Sequence, residues 1–372
     1  MEIKAIYLLL LIFSAFVISV IVVPQVIKVI LGKKIFDVPG GRKIHKNLTP
    51  SMGGVGVFMS FIILAMLTVH DSSLFSSQYY YCSLIILFFT GLRDDLIPVR
   101  SIHKFLIQIM AATIISGFAN IRLISLYSFD FLYPGLLPEW LSFFLTIFVI
   151  VAFTNAYNLI DGIDGLAGSI SILILGVLTF WFGLNGFYEY SFLCGIMLGS
   201  ISGFLYYNWS PAKIFMGDTG SLIIGFFCVT MLISFMNLNE NSDYKIENSV
   251  LFFLSLFIYP AFDILRVFYI RLKRKRSPFS PDKLHIHLIL KRIGMKHNEI
   301  TSVIFISSFI WLSVFFLLNY LMVYELAIFS AFCCYCIGLN IYLSRKVNFF
   351  KKNKENYDVS KILKQKILIN RK

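Results

Sequence analysis

Apolar residues run along this chain in blocks of about twenty, each closed off by a short polar stretch. That is the length needed to cross a hydrocarbon core as a helix. Eleven blocks stand out, at about 5–31, 52–70, 78–92, 102–120, 137–156, 165–184, 190–207, 218–236, 249–270, 300–322 and 324–344. The pattern predicts an all-α polytopic membrane protein of about 11 transmembrane helices. The first block, "AIYLLLLIFSAFVISVIVVPQVIKVIL", is too long for a signal-peptide core and is read as a span, kinked at Pro24.

Composition agrees: of 372 residues, 58% are hydrophobic and only 14% charged, well below a soluble domain's usual quarter. The net charge of +13 resembles a nucleic-acid signal until it is mapped. Lys33, Lys34, Arg42, Lys43 and Lys46 follow block 1; Arg93 and Arg100 follow block 3; Lys213 follows block 7; nine Lys and Arg between Arg271 and Lys296 follow block 9. Alternate loops carry almost none, so the positive-inside rule predicts the N-terminus outside and the C-terminus cytoplasmic, with no nucleic-acid partner.

This divides the chain into a transmembrane domain, 1–344, and a basic cytoplasmic tail, 345–372. Its cytoplasmic loops lie at about 32–51, 91–101, 155–165, 208–218 and 271–299. The polar stretches with chemical capacity all open on this one face, which predicts a single cytoplasmic-face site. Six cysteines, all inside apolar blocks, read as packing residues.

Four stretches carry the candidate chemistry. Asp94 and Asp95 directly follow block 3, where the helix dipole opposes carboxylates; they suit a divalent cation or a base, or are offset by nearby Arg93 and Arg100. In "NAYNLIDGIDGLAG" (155–168), Asn155, Asn158, Asp161 and Asp164 recur every third residue beside a stripe of glycines. The plainer reading makes Asp164 the N-cap of block 6. Asp218, in "FMGDTGS" with Thr219 and Ser221, is either an N-cap or a cation-holding carboxylate. His285 and His287, in a strongly basic loop, suit phosphate better than zinc, and His45 joins the same picture. His70, His103 and His297 read as incidental, and Asp263 with Arg266 as an i, i+3 ion pair. Acids for a cation, basic groups for phosphate and a membrane-edge location together suit phosphoryl transfer to a lipid-borne acceptor.

The motifs "RKIHKNLTPSMGGVGVF", "GLRDDL", "NAYNLIDGIDGLAG", "IFMGDTGSL" and "PFSPDKLHIH" resemble, in order and spacing, the polyprenyl-phosphate N-acetylhexosamine-1-phosphate transferase family. They are most like the undecaprenyl-phosphate N-acetylglucosamine-1-phosphate transferases. The resemblance implies a multi-pass enzyme of the bacterial cytoplasmic (inner) membrane. It would move HexNAc-1-phosphate from a UDP-N-acetylhexosamine to undecaprenyl phosphate and release UMP, with Mg²⁺ or Mn²⁺. By motif position, Asp218 resembles the metal ligand, with Asp95 as its companion, and Asp94 the base. Asn155, Asn158, Asp161 and Phe215 fall in the nucleotide pocket and Lys46 on the nucleotide, with Asp164 in the same motif. Lys104 resembles a basic residue near the lipid phosphate, while His285 and His287 face diphosphate or sugar. Leu288 and Pro98 depart from the family's usual pattern. The resemblance permits a homodimer without requiring one. A phospho-N-acetylmuramoyl-pentapeptide transferase is the alternative and an ion-coupled transporter a remote one.

Overall fold

The computed structural model describes residues 2–33, 49–68, 78–126, 135–275, 277, 284–321, 324, 327–342 and 345. Lys46, His45, His70 and all of the tail except Arg345 lie outside them. Among the described residues the chain is helical throughout: α1 (Glu2–Gly32), α2 (Gly53–Thr68), α3 (Gln78–Leu96), α4 (Ser101–Phe118), α5 (Glu139–Ile160), α6 (Leu166–Leu184), α7 (Tyr188–Asn208), α8 (Gly217–Asn239), α9 (Ser249–Leu256), α10 (Ile258–Lys273), α11 (Ile286–Arg292) and α12 (His297–Tyr320). A final apolar helix, α13, is Ala327–Tyr342. Among the described residues the one β feature is an isolated antiparallel bridge between Ser125 and Leu136.

Each of the eleven expected blocks coincides with helix. Among the described residues, seven helices are long and apolar enough to cross a membrane, or eight if the bent pair α9–α10 counts as one span; α2 and α13 are shorter apolar helices, and α3, which ends in Arg93, Asp94 and Asp95, is not among those that qualify. The protein is therefore a multi-pass membrane protein. Block 9 is not the single straight span expected, since α9 and α10 meet at 81°. The break falls at Phe257, where Pro260 lies three residues on. Its ring would clash with the Leu256 carbonyl if the helix continued, whereas in the first turn of α10 its missing N–H costs nothing.

The bundle is organised around α8. Every residue from Thr219 to Met236 is buried, as expected of a helix apolar on all sides. It packs against α2, α3, α5 and α6, while α7 lies between α1 and α6. Glycines set the closest approaches: a Cβ on Gly199 of α7 would sit 2.2 Å from the Ile12 carbonyl of α1. Small residues at helix crossings serve this purpose in membranes, where burial from lipid supplies little drive and close van der Waals packing must replace it.

Candidate active site

The first turn of α8 is held by backbone contact from two sides. A Cβ on Gly54 of α2 would lie 2.0 Å from the Gly220 nitrogen, and one on Gly91 of α3 would lie 2.5 Å from the Asp218 carbonyl. Only glycine permits either crossing. Hydrogen bonds from Gly53 N–H to the Phe215 carbonyl (2.8 Å), Gly54 N–H to the Met216 carbonyl (2.9 Å) and Phe215 N–H to the Pro50 carbonyl (2.8 Å) zip the entry of α2 to the entry of α8. Gly217 adopts φ +73°, and a Cβ there would strike the Asp95 carboxylate at 2.4 Å.

On this frame the end of α3, the starts of α4 and α8 and the end of α5 bring their polar side chains together. Lys104 Nζ lies 2.7 Å from Asp218 Oδ2 and 3.1 Å from Asp94 Oδ2. The other Asp94 oxygen accepts the Val99 N–H at 2.7 Å. Asn158 Nδ2 donates to Asp218 Oδ1 at 3.1 Å and to Ser221 Oγ at 2.7 Å. Two carboxylates from different helices thus converge on one ammonium.

Asp95 has a different environment. It accepts the Asp218 N–H (3.0 Å), the Thr219 N–H (3.1 Å), the Thr219 hydroxyl (2.5 Å) and the Ser51 hydroxyl (3.3 Å). The carboxylate caps α8 across 123 residues of sequence, taking up N–H groups that a helix start leaves without partners. Asp218 is therefore not the N-cap. It sits inside the first turn, and the N-cap, Met216, makes no side-chain bond.

Asp161 follows α5 and faces the Gly217 N–H. Burial pushes its carboxyl well above the usual range, and the negative charges of Asp218 and Asp95 add to the rise. Asn155 lies exposed, and Phe215 is half-buried.

The donor set bears on a metal. Among the described residues no three His, Cys, Asp or Glu side chains form a metal nest. Mg²⁺ characteristically binds one or two carboxylates and takes the rest of its shell from water and substrate phosphates. Asp218 with Asp94 opposite fits that mode, whereas both Asp95 oxygens are engaged by α8.

The remaining predicted residues form a second layer. Asp164 is not the N-cap of α6, which begins after Gly165 in the left-handed conformation at φ 74°. Instead Asp164 Oδ1 pairs with His297 Nδ1 at 2.8 Å, Oδ2 accepts the Ala212 N–H at 3.2 Å, and its carbonyl accepts the Thr301 hydroxyl at 2.8 Å. His297 is thus not incidental, and its Nε2 contacts Lys291. Asn208 was missed by sequence reading. It accepts the Gly165 N–H at 2.9 Å and donates to the Ile214 carbonyl at 2.8 Å, tying the two polar loops together. Its only sequence signal is an amide at the end of an apolar block.

Asp263 and Arg266 do not form the expected ion pair. Asp263 accepts from His285 Nδ1 and the Ile286 N–H, each at 2.7 Å, while Arg266 donates to the Leu284 carbonyl at 2.8 Å and to Asn340 at 2.9 Å. Together they clamp the entry of α11. His287 bonds the Tyr259 hydroxyl at 3.0 Å, and a Cβ on Gly162 would lie 3.0 Å from its Nε2. Burial lowers the His287 pKa to about 4, so the ring is neutral near pH 7.

The sequence profile of Glycosyl transferase family 4 matches residues 77–236, the segment holding Asp94, Asp95, Lys104, Asn158, Asp161, Asp164 and Asp218. Similarity extends over most of the chain to a probable undecaprenyl-phosphate N-acetylglucosaminyl 1-phosphate transferase of Bacillus subtilis (strain 168). The two are 31% identical over 303 residues, covering 80% of this chain and 82% of that protein. The chain belongs to glycosyl transferase family 4. Two other relatives are similar over a comparable length. An undecaprenyl-phosphate alpha-N-acetylglucosaminyl 1-phosphate transferase of Escherichia coli O157:H7 is 30% identical over 268 residues, 71% of each chain. A phospho-N-acetylmuramoyl-pentapeptide-transferase of Clostridium acetobutylicum is 30% identical over 309 residues, covering 79% of this chain and 92% of that one.

Proposed function

We propose that the protein transfers N-acetylglucosamine-1-phosphate from its UDP donor to undecaprenyl phosphate, releasing UMP, at the cytoplasmic face of a bacterial inner membrane. The observation that carries this is the convergence of Asp94 and Asp218 on Lys104 where α3, α4 and α8 meet at the edge of the bundle. The names of the relatives above support the transferred group and the acceptor. The charge distribution supports eleven crossings with the N-terminus outside.

In this reading Asp94 accepts the proton of the lipid phosphate. A lipid phosphate oxygen attacks the sugar-bearing phosphorus, the bond to the bridging oxygen breaks, and UMP leaves with that oxygen. Lys104 offsets the negative charge gathered there, and Asn158 fixes the rotamer of Asp218. Asp218 would hold Mg²⁺ together with donor phosphate oxygens, supplying charge neutralisation for the displaced diphosphate. Asp95 acts by holding the first turn of α8 in place. Attack is direct, with no aspartyl-phosphate.

The test is UMP release and labelled-sugar transfer by purified protein with UDP-GlcNAc, undecaprenyl phosphate and Mg²⁺. Transfer with this donor, lost in EDTA, is expected. Transfer only from UDP-MurNAc-pentapeptide would overturn the donor assignment in favour of the activity named for the Clostridium relative. Labelled phosphate trapped on an aspartate would overturn direct attack.

A further inference from the structure

One face of α10 holds the 284–287 segment. Tyr259, Asp263 and Arg266, spaced i, i+4 and i+7, take the His287 ring, the His285 ring with the Ile286 N–H, and the Leu284 carbonyl. That segment leans in turn on the 155–165 loop, since a Cβ on Gly162 would lie 3.0 Å from His287 Nε2. The seating of α10 is thus passed on to the polar loop that carries Asp161.

Arg266 stands out in this row. It is a cation only 9% exposed in an apolar bent helix, where a buried charge is costly. Asp263 does not hold it, being engaged by His285 and the Ile286 N–H. A guanidinium is a rigid planar fork that can fix two acceptors relative to one another. Here one acceptor is the Leu284 carbonyl, 2.8 Å from Nη1, and the other is Asn340 Oδ1 in α13, 2.9 Å from Nε and 74 residues away in sequence. The last helix does not depend on this bond for its place. The Tyr335 hydroxyl donates to the Ser307 carbonyl at 3.1 Å, and Trp311 of α12 packs against the rings of Phe332 and Tyr335. Arg266, Leu284 and Asn340 all lie beyond residues 77–236, the stretch that the family profile matches.

Resting on the function proposed above, we infer that Asn340 and Arg266 are positioning residues for the UDP-sugar. Through them the last helix fixes the 284–287 segment and, by way of His287 and Gly162, the loop of the nucleotide-sugar pocket. Neither residue meets the reacting atoms; both act through the Leu284 carbonyl. Buried polar pairs that serve packing alone are often replaced by apolar residues of like volume without loss of stability. A brace is not replaceable in that way, because the Leu284 carbonyl then loses the group that places it.

The test has two arms, both on full-length protein. In the first, without substrates, hydrogen–deuterium exchange is followed over residues 284–292. Asn340→Leu and Arg266→Met/Asn340→Leu are expected to raise exchange there by about fivefold or more, with the first turns of α8 unchanged. In the second, steady-state transfer gives the KM for each substrate. Both variants should raise the KM for UDP-GlcNAc by about fivefold or more, with kcat within about twofold and the KM for undecaprenyl phosphate unchanged. The melting temperature of the double variant should stay within about three degrees of wild type. Asn340→Asp keeps the acceptor and should keep the wild-type KM, whereas Arg266→Lys, lacking the fork, should not. Tyr335→Phe, which loosens α13 elsewhere, should change neither readout. Unchanged exchange over 284–292 would overturn the brace. Raised exchange with an unchanged KM for UDP-GlcNAc, or KM values that rise together for donor and lipid, would overturn the positioning role. If wild type transfers nothing from UDP-GlcNAc, the function proposed above fails, while the exchange arm still decides whether the brace exists.

Discussion

Lys104 Nζ stands 2.7 Å from Asp218 Oδ2, joining the first turn of α4 to the first turn of α8 across 114 residues of sequence. The same ammonium reaches Asp94. Replacing it with Gln leaves two carboxylates facing each other and removes the cation that pairs with both. Lys104→Gln is expected to lower kcat by about 100-fold or more, and Lys104→Arg to restore part of it. Steady-state transfer kinetics at saturating lipid check this.

Asp95 and Asp218 should fail in different ways. Asp95→Ala strips the acceptor from two backbone N–H groups and two hydroxyls, so it should cost about 2–4 kcal/mol of stability, with activity falling as a consequence. Asp218→Asn should abolish transfer while the melting temperature stays within about two degrees. Thermal unfolding in detergent, run beside the transfer assay, separates the two. A stable but inactive Asp95→Ala would return Asp95 to the chemistry.

The glycine seam predicts a sharp contrast. Gly54→Ala places a Cβ against the Gly220 backbone, where nothing flexible can yield, and should cost at least about 1–3 kcal/mol. Gly176→Ala in α6 meets nothing within 4 Å and should gain roughly 0.5–1 kcal/mol of helix stability. Folded yield and melting temperature of the pair are the measurement.

His287 sets a pH dependence whose sign follows from its low pKa. The folded ring titrates at about 4, against roughly 6.5 in an unfolded chain. Between those values the unfolded state binds the extra proton, so stability is full above about pH 7 and falls as pH drops from 6.5 toward 4. The loss reaches at most about 3 kcal/mol. His287→Gln should flatten that part of the curve of melting temperature against pH, and a profile unchanged by the substitution would contradict the buried neutral ring.

Asp161 and Asp164, three residues apart, should also divide. Asp164 is built into the contact between α12 and the loops, through His297, Ala212 and Thr301. Asp164→Asn should therefore lower the melting temperature, and Thr301→Val should do so more mildly. Asp161→Asn is expected to lower transfer with little change in stability. Unfolding and kinetics on the three variants decide between the roles.

Much of this was legible in the chain because a carboxylate or amide at the edge of an apolar block is costly and so stands out. Asp94, Asn158 and Asp218 were visible that way, and each joins the cluster. What stayed hidden were partnerships over distance. Nothing local tells that Asp95 will cap a helix 123 residues away, or that His297 will meet Asp164 across 133. Helix-end rules also misled, because the cap of α8 comes from another helix and that of α6 is a left-handed glycine. Pro260 was in plain view, but hydropathy averages over a block and does not register a bend inside it.

The Gly54–Gly220 and Gly91–Asp218 contacts are made by main chain, with no side chain interposed. The backbone that carries Asp218 is then placed by main-chain contact and not by how the surrounding apolar side chains fill space, while Lys104 and Asn158 hold its carboxylate. The outer surface of the bundle can be altered to suit bilayers of different thickness or fluidity while the distances among Asp94, Lys104 and Asp218 hold.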